Sequence, residues 1–232
     1  MWCQEEVAEF TVFNPKPCGY DATPDEQECT KRIGILRMTL WQRPLVLASA
    51  SPRRAELLTT AGIDATLYPP ELDDGDYVCG TMEVDEWVQT LASLKAWHVL
   101  EISSLQAGTV LAADTVCVVD DNILGQPVDA AEASGMIKSM VGRSHEVYTG
   151  WYLIAAQDRQ TSFGCEVVEV TIGQINDGEI DRYISSRLWK GKAGAYNLIE
   201  RVEAGWPITC NGDPTSVMGL PMERLKRELA WA

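Results

Sequence analysis

The chain has 232 residues, of which 46% are hydrophobic and 23% charged, a composition typical of a globular protein with ample material for a core. Its formal net charge is −15, from 34 acidic and 19 basic residues, and such a field repels polyanions. This charge argues against a protein that binds nucleic acid polymers, although a few local arginines can still hold a small anion.

The cysteines and the apolar runs indicate the compartment. Seven cysteines are scattered without a CxxC pair, which favours reduced thiols over a disulfide framework or a zinc site. The N-terminus has no basic segment followed by an apolar stretch, and no apolar run approaches the roughly 18 residues of a membrane span. We therefore expect a cytoplasmic protein with no membrane partner.

The predicted elements alternate between strands and helices after an irregular start. Residues 1–44, interrupted by prolines and an acidic cluster, predict an N-terminal extension that is either an appendage or a docking segment, and residues 45–232 predict one domain. In chain order we expect a strand at 45–48, a helix from Pro52 capped by Ser51 and ended by Gly62, and a helix over 84–100. A strand from Thr109 that turns at 120–122 should follow, and then a helix from Asp129 to Met140. The remaining elements are strands over 145–155 and 165–172, a helix over 177–186, and a final helix after Pro221. This order predicts an α/β fold with a mixed sheet flanked by helices.

The first candidate site follows the strand at residue 45. Two adjacent arginines, Arg53 and Arg54, fall in the first turn of a helix, where each cation opposes the helix dipole by about 0.3 to 1 kcal/mol. A phosphate held by these arginines, by Ser49 and Ser51, and by the free N–H groups of the helix would resolve the conflict. The alternative is that both arginines lie on the surface and pair with carboxylates such as Glu56.

The second candidate site is Asp114, which interrupts an apolar strand. A buried carboxylate must be paired, hydrogen-bonded, metal-bound or protonated, so Asp114 is either a catalytic or metal-binding group or a structural aspartate bonded to a loop. Its neighbour Thr115 is either a hydroxyl that faces a ligand or an ordinary strand residue.

Other charged residues are weaker candidates. Lys95 falls on the apolar stripe of its helix, Asp74 belongs to an acidic loop that could complete a magnesium site, and Lys192 lies between glycines in GKAGAY. The two histidines, His98 and His145, are interpreted as structural.

Six ordered motifs make the chain resemble the Maf family of nucleoside triphosphate pyrophosphatases. These are SASPRRAELLTTAGI, AADTV, ILGQPVDAAEA, GRSHEVYTG, GKAGAY and MGLP, spread from residue 45 to about 229. The resemblance implies a nucleotide cleft, often in a homodimer, and hydrolysis of the α–β bond of a nucleoside triphosphate with Mg²⁺ or Mn²⁺. It implies that Asp114 accepts a proton and, with Asp74, binds the metal. It also implies that Ser49, Ser51, Arg53, Arg54, Lys95, Thr115, Lys192 and Glu200 bind substrate.

The chain departs from the family pattern at two positions. Gln126 stands where members commonly have a lysine, and Ile199 stands at a position that holds glutamine or glutamate, with Glu200 adjacent. Arg53 and Thr115 resemble the branch that acts on dTTP and UTP, whereas GDPTSVMGLP resembles the branch that acts on 7-methyl-GTP. Both activities therefore stay open, as do an inosine-triphosphate type of pyrophosphatase and a non-catalytic regulator of septum formation.

Overall fold

The computed structural model describes residues 41–72 and 77–229, which form the predicted mixed α/β fold. The strands are β1 (Leu45–Leu47), β2 (Ala65–Leu67), β3 (Thr109–Val119), β4 (Asn122–Leu124), β5 (Arg143–Ala155), β6 (Thr161–Ile172) and β7 (Ile208–Asn211). The helices are α1 (Pro52–Thr60), α2 (Val84–Ile102), α3 (Ala130–Met140), α4 (Asp177–Ser186), α5 (Leu198–Glu203), α6 (Pro214–Val217) and α7 (Met222–Leu229), with a short 3-10 helix at Ala193–Ala195.

The strands of the described residues join in one seven-stranded sheet in the order β2-β1-β3-β5-β6-β7, with β4 paired to β3. The pairs β1–β2 and β1–β3 are parallel, and the others are antiparallel. β3 therefore lies between a parallel half and an antiparallel half. Asp114 on β3 stands opposite Gly150 on β5. Among the same residues, no helix is both long and apolar enough to cross a lipid bilayer.

Alternation along the strands divides the core between the two faces of the sheet. Leu45, Leu47 and Leu111 pack on one side with residues of α1 and α7, while Val46 and Ala112 pack on the other side with residues of α2. A third cluster joins the C-terminal end of β3 with β5, β6, α3 and α4. Because both faces of β3 are covered, a charged residue on this strand needs a partner inside the protein.

Most of the helix and turn signals are confirmed, with one correction. Asp129 Oδ1 accepts from Glu132 N–H at 2.8 Å, as the predicted capping box requires, and the β3–β4 turn falls at Asp120 and Asp121, which both have positive φ. Ser51 occupies the N-cap position of α1, but its side chain makes no capping bond. Its own N–H instead donates to Ser49 Oγ at 3.1 Å, which turns the chain sharply between β1 and α1.

A glycine determines how closely α2 approaches the sheet. A Cβ on Gly150 would overlap the backbone of Val88 in the first turns of α2, so only glycine allows this approach. Lys95 follows Val88 by two helical turns on the same buried face of α2. The contact at Gly150 therefore positions Lys95 over β3.

Candidate active site

A cleft opens beside the turn between β1 and α1. It consists of two adjoining cavities of about 400 and 410 Å³, within the range of small-molecule sites, and both are lined by Ser51, Arg54, Gln126 and Gly191. The first cavity extends toward Arg53, Thr115 and Lys192, and the second toward Ser49 and Lys95. The cleft thus gathers residues from the start, middle and end of the folded region.

Arg54 is oriented by a network of neutral acceptors. Its Nε donates to the Gly219 carbonyl at 2.9 Å, and its two Nη groups donate to Ser49 Oγ at 3.3 Å and to Thr115 Oγ1 at 3.2 Å. The Thr115 hydroxyl lies 3.0 Å from Thr149 Oγ1, which donates to the Ser216 carbonyl at 2.8 Å. Arg54 therefore presents its charge to both cavities in one orientation, and Thr115 acts in part by holding it.

Lys95 and Asp114 form a buried ion pair. Lys95 Nζ donates to Asp114 Oδ1 at 2.5 Å, and each residue is 7% exposed. A buried carboxylate without a partner costs several kcal/mol, so the ammonium offsets the burial of Asp114. Lys95 lines the second cavity, whereas Asp114 lines neither cavity and stands behind the Lys95 ammonium as its hydrogen-bond partner.

Glu200 joins two cations that line the first cavity. Its Oε1 accepts from Arg53 Nη2, and its Oε2 accepts from Lys192 Nζ. Arg53 Nη1 also donates to Glu56 Oε2 at 3.0 Å, so the surface pairing considered from the sequence occurs together with the contact inside the cleft. The structure therefore brings Arg53, Lys192 and Glu200 together, whereas Ile199 is 39% exposed.

Two residues of the cleft were not predicted from the sequence. Cys117 and Tyr196 line the first cavity. Tyr196 OH lies 2.8 Å from His145 Nε2, and a Cβ on Gly194 would lie 2.6 Å from Cys117 Sγ, so glycine lets the GKAGAY loop lie against the strand. Burial raises the pKa of Cys117 to about 12, which makes its thiol unreactive. The alternation of β3 could have found Cys117, because it lies two residues after Thr115 and therefore on the same face of the strand.

The described residues fit a metal that is bound together with substrate. Among them, no group of three or more His, Cys, Asp or Glu side chains could hold an ion, and Asp74 lies outside the described residues. Mg²⁺ usually needs one or two carboxylates in addition to phosphate oxygens and water. The second oxygen of Asp114, which accepts no hydrogen bond from the described residues, fits that requirement.

Comparison with known proteins identifies the family. Residues 44–232 match the family model described as "Maf-like protein". The chain belongs to this family. A dTTP/UTP pyrophosphatase of Carboxydothermus hydrogenoformans is 41% identical over 186 residues, which cover 80% of this chain and 96% of that protein. A dTTP/UTP pyrophosphatase of Bacillus cereus is 40% identical over 189 residues, which cover 81% of this chain and 94% of that protein.

A solved structure was also found by comparison of folds. It is a nucleoside-triphosphatase, dITP/XTP pyrophosphatase, from Mycobacterium abscessus, with 16% identity and a TM-score of 0.36 over 56% of this chain and 73% of that chain. At this TM-score, the likeness supports no conclusion about activity. The resemblance to the Maf family predicted from the six motifs is confirmed by the family match alone.

Proposed function

We propose that this Maf-like chain hydrolyses UTP and dTTP between the α and β phosphates, giving the nucleoside monophosphate and pyrophosphate. The names of its relatives support the substrates. The observation that carries the proposal is the convergence of Arg54, Ser49 and Lys95 at the second cavity, with the Asp114 carboxylate 2.5 Å from the Lys95 ammonium. A triphosphate needs such a concentration of donors, and its hydrolysis needs a carboxylate beside them.

Each group has a role that follows from its position. Arg54 and the N-terminus of α1 hold the phosphates, because both offer N–H donors to the shared part of the two cavities. Lys95 donates to the phosphate oxygens when substrate draws its ammonium toward the second cavity. Asp114 then orients the attacking water and accepts its proton.

A divalent cation completes this proposal. Mg²⁺ or Mn²⁺, held by Asp114 and the substrate phosphates, would neutralise charge that develops on the phosphate oxygens. Asp74 remains a predicted second ligand.

The decisive experiment measures pyrophosphate release from a panel of triphosphates. UTP and dTTP should be the best substrates, ahead of CTP, GTP, ITP and 7-methyl-GTP. Asp114→Asn should lower kcat for UTP by roughly 100- to 10,000-fold, the usual contribution of acid–base catalysis. Without a divalent cation, binding of non-hydrolysable α,β-methylene-UTP should change little, because Arg54 and the N-terminus of α1, rather than Asp114, hold the phosphates.

Asp121→Asn is the matched control, because Asp121 lies exposed in the β3–β4 turn and loses the same charge. Its kcat should equal that of the unmodified protein. Undiminished turnover by Asp114→Asn would remove Asp114 from the mechanism. If the unmodified protein hydrolysed no member of the panel, the non-catalytic regulator would replace the proposed enzyme.

The assembly and the compartment are proposed on separate grounds. Phe163 and Val167, on the same face of β6, are 57% and 46% exposed and would be covered in a homodimer. Light scattering coupled to size-exclusion chromatography measures the mass and tests the homodimer.

The described cysteines are free thiols, which supports a location in the reducing cytoplasm.

A further inference from the structure

The loop between α4 and α5 forms a wall of the first cavity. Its Gly194 N–H donates to the Gly125 carbonyl at 3.0 Å, next to the end of β4. Six of its residues line the cavity: Lys190, Gly191, Lys192, Ala193, Tyr196 and Asn197. We call residues 190–197 the cleft loop, because their conformation determines the shape of the first cavity.

One residue of the cleft loop, Ala195, has an unfavourable backbone conformation. Its φ is 65°, a region that residues with a Cβ seldom adopt, because the Cβ lies too close to the following carbonyl oxygen. Ala195 is fully buried and directly precedes Tyr196, which lines the first cavity. Such a conformation persists only where the surrounding structure holds it.

The hydroxyl of Tyr183 reaches Ala195 from α4. It donates to the Ala195 carbonyl at 2.8 Å, and Tyr183 is itself 4% exposed. The bond spans 12 residues of sequence, so it ties the cleft loop back to the helix that precedes it. A buried carbonyl that loses its donor is costly, and the bond therefore favours the observed conformation of Ala195.

Arg201, on α5, lies over the Tyr183 ring. Its guanidinium carbon is 4.3 Å from the centroid of that ring and 5.4 Å from the centroid of the Trp206 ring, and Arg201 is 9% exposed. Its Nε has no hydrogen-bond acceptor among the described residues, and the two rings stabilise the buried charge instead. Burial raises the pKa of Tyr183, and the charge of Arg201 opposes that rise. Because a phenol beside a cation is a stronger donor, Arg201 strengthens the bond from Tyr183 to Ala195.

We propose that Tyr183, supported by Arg201, is a positioning residue for UTP hydrolysis. By holding Ala195 in its strained conformation, it keeps the cleft loop in the shape that receives the nucleotide. This inference rests on the proposed pyrophosphatase function and adds to it two residues that line neither cavity. Asp114 and Lys95 belong to β3 and α2, so the chemical step stays with elements that Tyr183 does not hold.

Tyr183→Phe tests the proposal, because it keeps the ring under Arg201 and removes only the donor. Its KM for UTP should rise roughly 2- to 12-fold, the range expected for one net hydrogen bond, because the nucleotide must then order the cleft loop. Its kcat should stay within about twofold of the unmodified value. A protein that was merely less stable would contain fewer folded molecules, which lowers the apparent kcat and leaves KM unchanged.

Tyr148→Phe is the matched control, because Tyr148 loses the same hydroxyl, which donates to Glu146 at the surface. Its KM and kcat for UTP should equal those of the unmodified protein. Thermal unfolding establishes that each variant is folded.

Ala195→Gly tests whether the hydroxyl acts against backbone strain. Glycine adopts a positive φ at no steric cost, so the cleft loop then needs less support. Introduced into Ala195→Gly, Tyr183→Phe should raise KM by less than about twofold. A rise as large as in the otherwise unmodified protein would overturn the role given to strain.

Arg201→Met tests the contribution of the cation. It should raise KM roughly two- to fivefold, the range expected for a cation–π contact, whereas Arg201→Lys keeps a cation and should raise KM less. An unchanged KM in Arg201→Met would overturn the part given to Arg201.

Hydrogen exchange of the unliganded protein gives a readout that needs no turnover. The amides of Gly194 and Ala195, which donate to the Gly125 and Lys192 carbonyls, should exchange several-fold faster in Tyr183→Phe. A peptide from the centre of β5 should exchange at the unmodified rate, because the change is confined to the cleft loop.

Three outcomes separate this inference from the proposed function. Turnover of UTP with an unchanged KM in Tyr183→Phe would overturn the positioning role but leave the pyrophosphatase intact. A raised KM with equally faster exchange in β5 would assign the effect to a general loss of stability and also overturn that role. Failure of the unmodified protein to hydrolyse any triphosphate would overturn the enzyme, while faster exchange confined to the cleft loop of Tyr183→Phe would still show that Tyr183 holds this loop.

Discussion

At the scale of single residues, the buried polar groups of this protein serve two different purposes. Asp114 and Lys95 have each other as partners beside the cleft, where the cost of burial keeps charged groups at a functional position. His145 is 3% exposed and, unlike the Lys95–Asp114 ion pair, is neutral near pH 7, because burial lowers its pKa from 6.5 to about 4. Its Nε2 lies 2.8 Å from the Tyr196 hydroxyl, and this hydrogen bond fixes a residue that lines the first cavity.

This histidine predicts a pH dependence of stability. Because its pKa in the folded state lies below that of the unfolded chain, the unfolded chain binds one more proton between about pH 6.5 and pH 4. The free energy of unfolding should therefore fall as the pH is lowered through this window, by about 3 kcal/mol in total from His145 alone. His145→Gln, which keeps an acceptor for Tyr196, should lose less stability over the same range.

Urea unfolding at intervals from pH 7 to pH 4 measures the difference between the two proteins. The carboxylates titrate in both, so their contribution cancels in the comparison. At pH 7, where His145 is neutral in either state, the difference reflects packing alone. Curves that stay parallel from pH 7 to pH 4 would show that the imidazole accepts a proton in the folded protein as readily as in the unfolded chain.

At the scale of elements, the position of α2 against β5 determines whether Lys95 reaches Asp114. The backbone of Val88 occupies the space of a side chain at Gly150, directly beside Asp114 in the register of β3 and β5. Gly150→Ala should push α2 away from the sheet and lower the free energy of unfolding by about 1 to 3 kcal/mol. The kcat for UTP should fall as well, because the helix carries Lys95.

Gly135→Ala is the control for this substitution. Gly135 lies exposed within α3 and a Cβ there would meet no atom within 4 Å, so alanine should stabilise the protein by about 0.5 to 1 kcal/mol. Urea unfolding and UTP turnover are measured for both variants. A Gly150→Ala protein as stable and active as the original would mean that α2 does not depend on this contact.

Elements with a clear period were predictable, whereas the short strands β2 and β7 were not. The apolar stripe of α2 and the long runs of β3 and β5 follow directly from side-chain alternation, and their bounds were predicted to within two residues. β2 and β7 have three and four residues, too few to show a period, and they form because neighbouring strands supply hydrogen-bond partners. β6 begins four residues before the predicted start, since Gly164 lies on the Trp151 ring and breaks the alternation.

The candidate site was predictable in its members but not in its pairings. Arg53 and Arg54 look equivalent in the sequence, yet Arg53 contacts Glu56 and Glu200, whereas the contacts of Arg54 include the Gly219 carbonyl and the Ser49 hydroxyl. Glu200 is 147 residues away from Arg53, and no local pattern predicts that contact. Spacing indicates which side chains share a helix face, whereas the partners of a long side chain depend on the packing of distant elements.

At the scale of the whole molecule, an aromatic residue that precedes β1 packs into the core. Trp41 is 4% exposed and packs with Leu45 and other residues of the core, and Gln42 exchanges two hydrogen bonds with the Thr109 side chain. Trp41 and Gln42 therefore pack against the domain that the sequence predicted to begin at residue 45.

Two truncated proteins test where the domain begins. The protein of residues 39–232 should hydrolyse UTP at a rate within about twofold of the full chain. The protein of residues 45–232 lacks Trp41 and should be less stable by about 3 to 5 kcal/mol, the usual cost of losing a buried tryptophan. Urea unfolding and UTP turnover measure both effects, and Trp41→Ala in the longer protein isolates the contribution of the side chain.

Loss of turnover in the protein of residues 39–232 would assign residues 1–38 to catalysis. Equal stability of the two truncated proteins would place the start of the domain at residue 45 after all.

The hydrogen bonds from Arg54 to Gly219 and from Thr149 to Ser216 mean that the cleft is completed only after residues 216–219 have been synthesised. During translation the N-terminal part of a chain leaves the ribosome first, at roughly 5 to 20 residues per second. β1, α1 and β3 can therefore emerge and pair well before residues 216–219 exist. Arg54 acquires its final orientation only after residues 216–219 have been made, so a chain that stops before them cannot present a finished cleft to cellular nucleotides.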